Sequence, residues 1–379
     1  MKLSKVGAFV LICLVCALGS FLPEVYGEQG LTDKEIKLGV IQALSGPIAV
    51  EGSAMAYGIE DYCKYINEKD GGVHGRKLKV FIEDDQFQTP RALAAFKKLW
   101  FRTKIFTMIA PSGVAQTIAL MPHFKKYNLV SMVGGSSVAY LKPFNPNLFI
   151  PVPSYKDQAN VMFDYIVHDL GDKKPVVGVV YAELQFGKNF LYAVRERAKQ
   201  YGVKPAAELV LGFREVDATS QVMSLKKAGV KYVLNCNSAG SMATLLKSLD
   251  DKDYYPYVFA SNLQTDDFIF LEQRESLKKW IGLHHCHMWY ADKPIMKVVR
   301  NMFDKYGRKR NTRMNYYTWG AGVASVFVEG LKRAGRDLTL NKLRAALETL
   351  KEWDGSTFAP ITYSSTSHKG PETCNMVKA

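Results

Sequence analysis

The chain has no GxSxG elbow, no GxxxxGK[ST] phosphate loop and no GxGxxG after its first apolar β-rich run, so the local signatures of α/β-hydrolase, P-loop and dinucleotide chemistry are missing. Past residue 27 it also has no HExxH and no CxxC, and no stretch long and apolar enough to cross a bilayer. Cysteine is scarce: of six, Cys13 and Cys16 fall in the first 27 residues, which leaves Cys63, Cys236, Cys286 and Cys374 at spacings that fit no zinc or redox motif. Whether Cys286 and Cys374 pair is open at this level. The formal charge of +14 is basic, but the lysines and arginines are scattered and "KYGRKR" is their densest patch. Without aromatic-basic ladders or finger spacing, this is a solvated basic surface rather than a nucleic-acid footprint.

What is present begins with a leader. Lys2 and Lys5 precede an apolar run from Val6 to Leu22, and Val25-Tyr26-Gly27 follows as a small-residue cleavage pattern. Gly7, Gly19, Ser20 and Pro23 interrupt or close the run, which argues against a membrane anchor. Lipidation at Cys16 would place the large Val15 just before the modified cysteine. The reading is a signal peptide over 1–27, an exported protein and a periplasmic location.

From residue 36, short apolar β-rich runs alternate with segments of helical periodicity. "IKLGVIQAL", "LKVFIEDD", "FTMIAPS" and "LVSMVGG" read as strands, and "AMAYGIEDYCKYINEKDGG", "PRALAAFKKLWFRT" and "VAQTIALMPHFKKY" as the helices between them. The alternation restarts after "LFIPVPS" with "PVVGVVYAE", "AELVLGF", "KYVLNCNSAG" and "YVFASN". This predicts an α/β fold with two similar lobes built on parallel sheets. The last third is helical without strands of its own, so it must cover a sheet already built.

Small polar, glycine-bearing loops recur where strands end: "SGPIAVEG", "PSGVAQT" and "GGSSVAY" in the first half, "AELQFG", "NSAGSM" and "SNLQTD" in the second. Such loops bind ligands at the carboxyl ends of strands in open α/β sheets. Singly, each is more often a helix cap. Six in matching places point to a cleft. The acidic run "EDD" at 83–85 reads as a capping loop, with an exported hydrolase using Glu51, Asp84 and Asp85 as the competing reading.

"IGLHHCHMWY" holds three of the seven histidines. Read as a strand, it places His285 and His287 on one face and His284 and Cys286 on the other, short of a tetrahedral set. A zinc protein using His285 and His287 is the alternative, and no metal or other cofactor is assigned.

Taken together, "IKLGVIQALSGPIAVEGSAMAYGIEDYCKYINEKDGGVHGRKLKVFIEDD", "TPRALAAFKKL", "FGKNF" and "SHKGPETCNMV" resemble the periplasmic solute-binding proteins of ABC importers of the leucine/isoleucine/valine-binding type, over about Ile36 to Lys378. The resemblance implies two Rossmann-like lobes with a three-crossing hinge, the type I periplasmic-binding-protein fold. It divides the chain into residues 34–150 plus 288–358 and residues 154–284 plus 362–379, with crossings near 148–153, 283–290 and 358–363. It implies a solute-binding protein, not an enzyme, that captures a small organic solute such as an amino acid or an aromatic or short-chain carboxylate. The partner is a membrane permease, with no nucleic acid and no other contact with the membrane; a ligand sensor of the same fold feeding a receptor is the alternative. Carried across by motif, the ligand positions are Glu51, Ser112, Gly135, Ser136, Ser137, Phe186, Ser238 and Asn262. Two departures stand out: Glu51 replaces an aromatic common in the family, and Asn262 stands where amino-acid binders tend to carry an acid. The cysteine pair often seen in the family's first lobe is missing, with Phe87 and Pro111 near those places.

Overall fold

A computed structural model describes residues 28–135, 137–265, 274–307 and 314–378. The proposed leader and Ser136 lie outside the described residues.

The first lobe starts with β1 (Glu35–Gln42), whose Ile36, Leu38, Val40 and Ile41 are buried. Helix α1 (Ala49–Lys69) returns along it to β2 (Lys77–Asp84), and α2 (Thr89–Lys97) leads to β3 (Thr107–Ile109). All pairings are parallel and the order is β2-β1-β3. Beyond α3 (Val114–Lys126), β4 (Ser131–Met132) and β5 (Leu148–Phe149) pair in parallel, and Ala110 N–H joins Met132 O at 2.7 Å. Burial on both faces explains the near-continuous apolar strands.

The second lobe is built on a six-stranded sheet in the order β11-β10-β9-β8-β6-β7. Helix α4 (Tyr155–Asp164) precedes β6 (Val177–Tyr181), and α5 (Gln185–Gln200), β7 (Ala207–Val210), α6 (Thr219–Lys227), β8 (Tyr232–Cys236), α7 (Ala239–Asp250) and β9 (Tyr257–Ala260) follow. Strand β10 (Trp280–His284) pairs parallel with β9, and β11 (Asn375–Lys378) closes the edge antiparallel to β10. In each lobe the chain steps to one side of its first strand and then to the other, so β1 and β6 mark the switch points where ligands sit in open α/β sheets. The two turns share one device. A methyl at Gly52 would lie 2.2 Å from Ala43 O and one at Gly187 would lie 2.1 Å from Ala182 O, so each helix start presses against the end of its strand.

The helices of the last third cover the first lobe, but the stretch read as strandless also supplies β11, which pairs with β10 in the second lobe's sheet. It contains α8 (Pro294–Lys305), α9 (Met314–Ala334) and α10 (Leu340–Glu348). Helix α9 crosses α1 at backbone contact: a methyl at Gly58 would lie 2.1 Å from Tyr317 O, and one at Gly320 would lie 2.1 Å from Met55 O. Fully burying each Leu or Val at such an interface contributes about 1.5–3 kcal/mol, which carries most of the stability of these helices.

One expectation changes. The strand read through "IGLHHCHMWY" ends at His284, because the next residues find a different partner: Cys286 bridges Phe358 and His287 N–H donates to Thr357 O at 2.6 Å. Ile150 similarly exchanges hydrogen bonds with His368 O and Gly370 N–H, at 2.9 and 2.7 Å.

Candidate functional site

Loops from both lobes line a partly open cavity of about 80 Å³. Its first-lobe wall starts where β1 ends. Gln42 is buried, and its Nε2 donates to Ala110 O at 2.8 Å, so its amide ties β1 to the end of β3. Ile48, Glu51, Gly52 and Met55 follow from the start of α1, Ser112, Gly113 and Val114 from the start of α3, and Gly134 and Gly135 from the end of β4. The second lobe contributes Phe186 from the first turn of α5, Phe213 beyond β7, and Asn237 and Ser238 at the start of α7. Tyr155 from α4, Leu263 beyond β9, and Tyr316 and Trp319 from the first turns of α9 complete it.

The two acids at the end of β2 serve the walls. Asp84 accepts from Leu44 N–H and Gln86 N–H at 2.9 Å, from Ser45 N–H at 3.3 Å and from Ser45 Oγ at 2.6 Å. Burial works to raise its pKa, but these donors prevail and hold the carboxyl below its ordinary range. Asp85 is fully buried and accepts from Phe87 N–H at 2.9 Å and from the Ser112 hydroxyl; burial pushes its pKa up against those donors. With both carboxylates committed to loop geometry, neither lines the cavity, and the hydrolase reading loses its acid pair.

Among the sequence-predicted residues, Glu51, Ser112, Gly135, Phe186 and Ser238 come together on the cavity. Ser112 and Ser238 do so with occupied hydroxyls: Ser238 Oγ caps α7 by accepting from Ser241 N–H at 3.1 Å. Ser137 and Asn262 are fully buried and do not line the cavity. Ser137 Oγ accepts from Ala139 N–H at 3.1 Å and from Asn189 Nδ2 at 2.7 Å, a bond between the lobes. Asn262 donates its backbone N–H to Gln158 Oε1 at 3.0 Å and accepts from Asn315 Nδ2 at 3.2 Å, while its side-chain amide has no hydrogen-bond partner among the described residues.

Sequence reasoning missed the aromatic walls. Phe87 and Phe213 face each other across the lobes at 6.4 Å between ring centroids, Phe213 and Phe186 lie 6.0 Å apart, and Tyr155 and Phe186 likewise 6.0 Å. Tyr316 and Trp319 pack at 5.8 Å. Tyr316 and Trp319 look like core residues of an apolar helix, and Phe213 lies in a loop without a motif. The position of Phe213 just past a strand end was the available signal.

The three clustered histidines do not converge. His284 Nδ1 lies 2.8 Å from Cys286 O, the His285 ring stands edge-on to Trp319 at 4.2 Å, and His287 Nε2 is 4.0 Å from Asp354. Burial lowers the pKa of His285 well below the ordinary histidine value. Among the described residues no three His, Cys, Asp or Glu side chains are grouped to hold a metal ion, and Cys286 and Cys374 are free thiols.

Comparison with known proteins adds the following. The family model described as "Periplasmic binding protein" matches residues 35–379. The Leu/Ile/Val-binding protein homolog 8 of Brucella abortus is 24% identical over 251 residues, which is 63% of this chain and 60% of that relative. Homolog 3 of Brucella melitensis is 25% identical over 200 residues, 52% of this chain and 53% of the relative. The matched region thus spans little more than half the length of these curated relatives. Among solved structures, a branched-chain amino acid ABC transporter protein from Thermus thermophilus with bound valine superposes with a TM-score of 0.84 at 22% identity, covering 92% of this chain and 94% of that one. A fatty acid ABC transporter substrate-binding protein from Thermomonospora curvata gives 0.83 at 20% identity, covering 93% and 90%. At these identities the superpositions establish the shared fold.

Proposed function

Because the chain belongs to the periplasmic binding protein family, we propose that it is an extracytoplasmic solute-binding protein that captures a small organic solute between its two lobes and delivers it to the permease of an ABC transporter. The observation that carries this reading is the cavity itself, walled by strand-end loops of both lobes and by aromatic rings from each. We propose for the lobes the division that the resemblance implies, with crossings near 148–153, 283–290 and 358–363. A guest held by both walls contacts both only when the lobes are shut, so it shifts the population toward the closed form by its differential contacts. The permease then reads the closed shape.

Relatives named for branched-chain amino acids and for a fatty acid share the fold, and the apolar walls suit a guest with a substantial apolar body. The ligand positions proposed are Glu51, Ser112, Gly135, Phe186 and Ser238, joined by Phe87, Phe213, Tyr155, Tyr316 and Trp319, with Ser136 kept on the resemblance alone. Native mass spectrometry of gently purified protein tests the reading and should show a co-purified small molecule. Adding that molecule to stripped protein should compact the scattering profile. Its conversion into a product, or identical profiles with and without it, would overturn the proposal.

A further inference from the structure

Four side chains meet where the loop after β9 and the end of β10 touch the first turns of α9. Asn315 and Trp319 stand one helical turn apart on α9 and share a face. Asn315 Nδ2 reaches Asn262 O at 3.2 Å, and the Trp319 ring stands edge-on to His285 at 4.2 Å between centroids. Asn262, His285, Asn315 and Trp319 are all more than nine-tenths buried. Six of their polar atoms have no hydrogen-bond partner among the described residues: Asn262 Oδ1 and Nδ2, both ring nitrogens of His285, Asn315 Oδ1 and Trp319 Nε1. Each of these atoms is sealed from solvent as well. Protein interiors pair nearly all such groups, and one left without a partner costs the free energy of the water it gave up. Here the cost falls between the lobes, because β9 and β10 belong to the second lobe's sheet and α9 covers the first. Tyr316 OH donates to Leu263 O at 2.9 Å beside them, so the seam is a direct contact of one lobe with the other.

We propose that this seam opposes closure and keeps the guest-free protein open: Asn262, His285, Asn315 and Trp319 are held dry and unpaired when the lobes meet and return to water when they part. The proposal rests on the solute-binding reading and adds to it what holds the empty molecule apart. As the loop after β9 leaves α9, water reaches the Asn262 and Asn315 amides, the indole N–H and the imidazole, and the cost of burying them is recovered. A guest must supply that difference, so its apparent affinity is reduced by the small fraction of molecules already shut. A molecule that grips one wall only leaves the lobes apart, because it gains nothing from closure. The empty protein then does not offer the permease the shape of a loaded one.

Small-angle scattering on stripped protein reads this without any guest. The wild type should be more extended than the structure. Asn262→Leu removes two of the unpartnered atoms at nearly constant shape and keeps the backbone bonds to Gln158 and Asn315; His285→Phe removes two more. Combined, they should raise the ratio of closed to open molecules about tenfold or more, the scale on which buried unpaired groups act, and the radius of gyration should fall toward that of the structure. Melting temperatures report whether the variants fold, and Asn262→Leu alone carries the test if the pair does not. An unchanged or larger radius of gyration in a folded variant would overturn the proposal, as would a wild-type profile that already matches the structure. A melting temperature that rises with no change in compactness would overturn it too, because the groups would then be buried whether the lobes meet or part. So would a crystal structure in which ordered waters bridge these atoms with the lobes in contact. If the variants compact as expected but no solute co-purifies, the solute-binding reading fails and the seam's effect on closure stands; if a solute co-purifies and the variants do not compact, the seam fails alone.

Discussion

Asn189 Nδ2 donates to Ser137 Oγ at 2.7 Å, joining the helix that opens at one lobe's switch point to the polar loop at the end of the other lobe's β4. The same hydroxyl receives Ala139 N–H, and Asn189 Oδ1 accepts from Gln185 at 3.0 Å, so each partner is also held by its own segment. The two lobes therefore share a protein–protein hydrogen bond beside the Phe87–Phe213 contact.

Replacing Asn189 by alanine should weaken closure. One neutral hydrogen bond contributes about 0.5–1.5 kcal/mol net, so affinity for the co-purified solute should fall roughly two- to tenfold while the melting temperature of stripped protein changes little. Calorimetry and scattering on the same samples check this, and unchanged affinity would remove the bond from the closing equilibrium.

Gly58 and Gly320 make the α1–α9 crossing possible. Gly58→Ala forces a methyl against Tyr317 O, and overpacking of this kind costs about 1–3 kcal/mol. The expected result is a lower denaturant midpoint with the slope unchanged. Alanine at Gly240, where the nearest atom is the flexible Ser238 Oγ at 3.9 Å, should be tolerated.

Ser112→Ala removes the hydroxyl that faces Asp85 and leaves a fully buried carboxylate with one donor fewer. The loss should appear as stability, about 1–3 kcal/mol, and as a further rise in the Asp85 pKa. A drop in affinity with stability untouched would mean that the hydroxyl serves the guest instead.

Four histidines, His123, His285, His287 and His368, are held below the ordinary pKa, with burial the leading cause in each. The sign follows from linkage: below the unfolded value of about 6.5 the unfolded chain takes up protons that the folded chain refuses, so their contribution is present above that pH and is lost as pH falls toward the folded values. Melting temperature should drop between pH 7.5 and 5, and His285→Leu should flatten part of the slope. A chelator should leave the melting temperature unchanged, because the clustered histidines do not share a face toward one point; stoichiometric zinc that disappears in His285→Ala with His287→Ala would contradict this.

The alternation of apolar strands and periodic helices was legible because each element's burial pattern is written in its own residues: β8 is buried throughout, and α1 carries its buried face at Ala56, Ile59, Cys63 and Ile66. The strand-end loops were legible for a related reason, since Gly52 and Gly187 sit where a helix start must press against a strand. Asn262 was read as a ligand position from its loop, but loop position does not fix where a side chain turns, and here the 3₁₀ turn at Asn262–Gln264 keeps it buried. The histidine run was read one element too long because a bridge to Phe358, far along the chain, ends the strand.

By itself the sequence determined the two α/β halves and the glycine-bearing loops, properties of neighbours a few residues apart. Only the tertiary structure decided that Tyr155, Phe213, Tyr316 and Trp319 join Phe87 and Phe186 on one cavity and that Ser137 faces Asn189. These groups come from segments far apart in the chain, and the packing of two sheets and the return of α9 across α1 set their distances, which no local periodicity encodes.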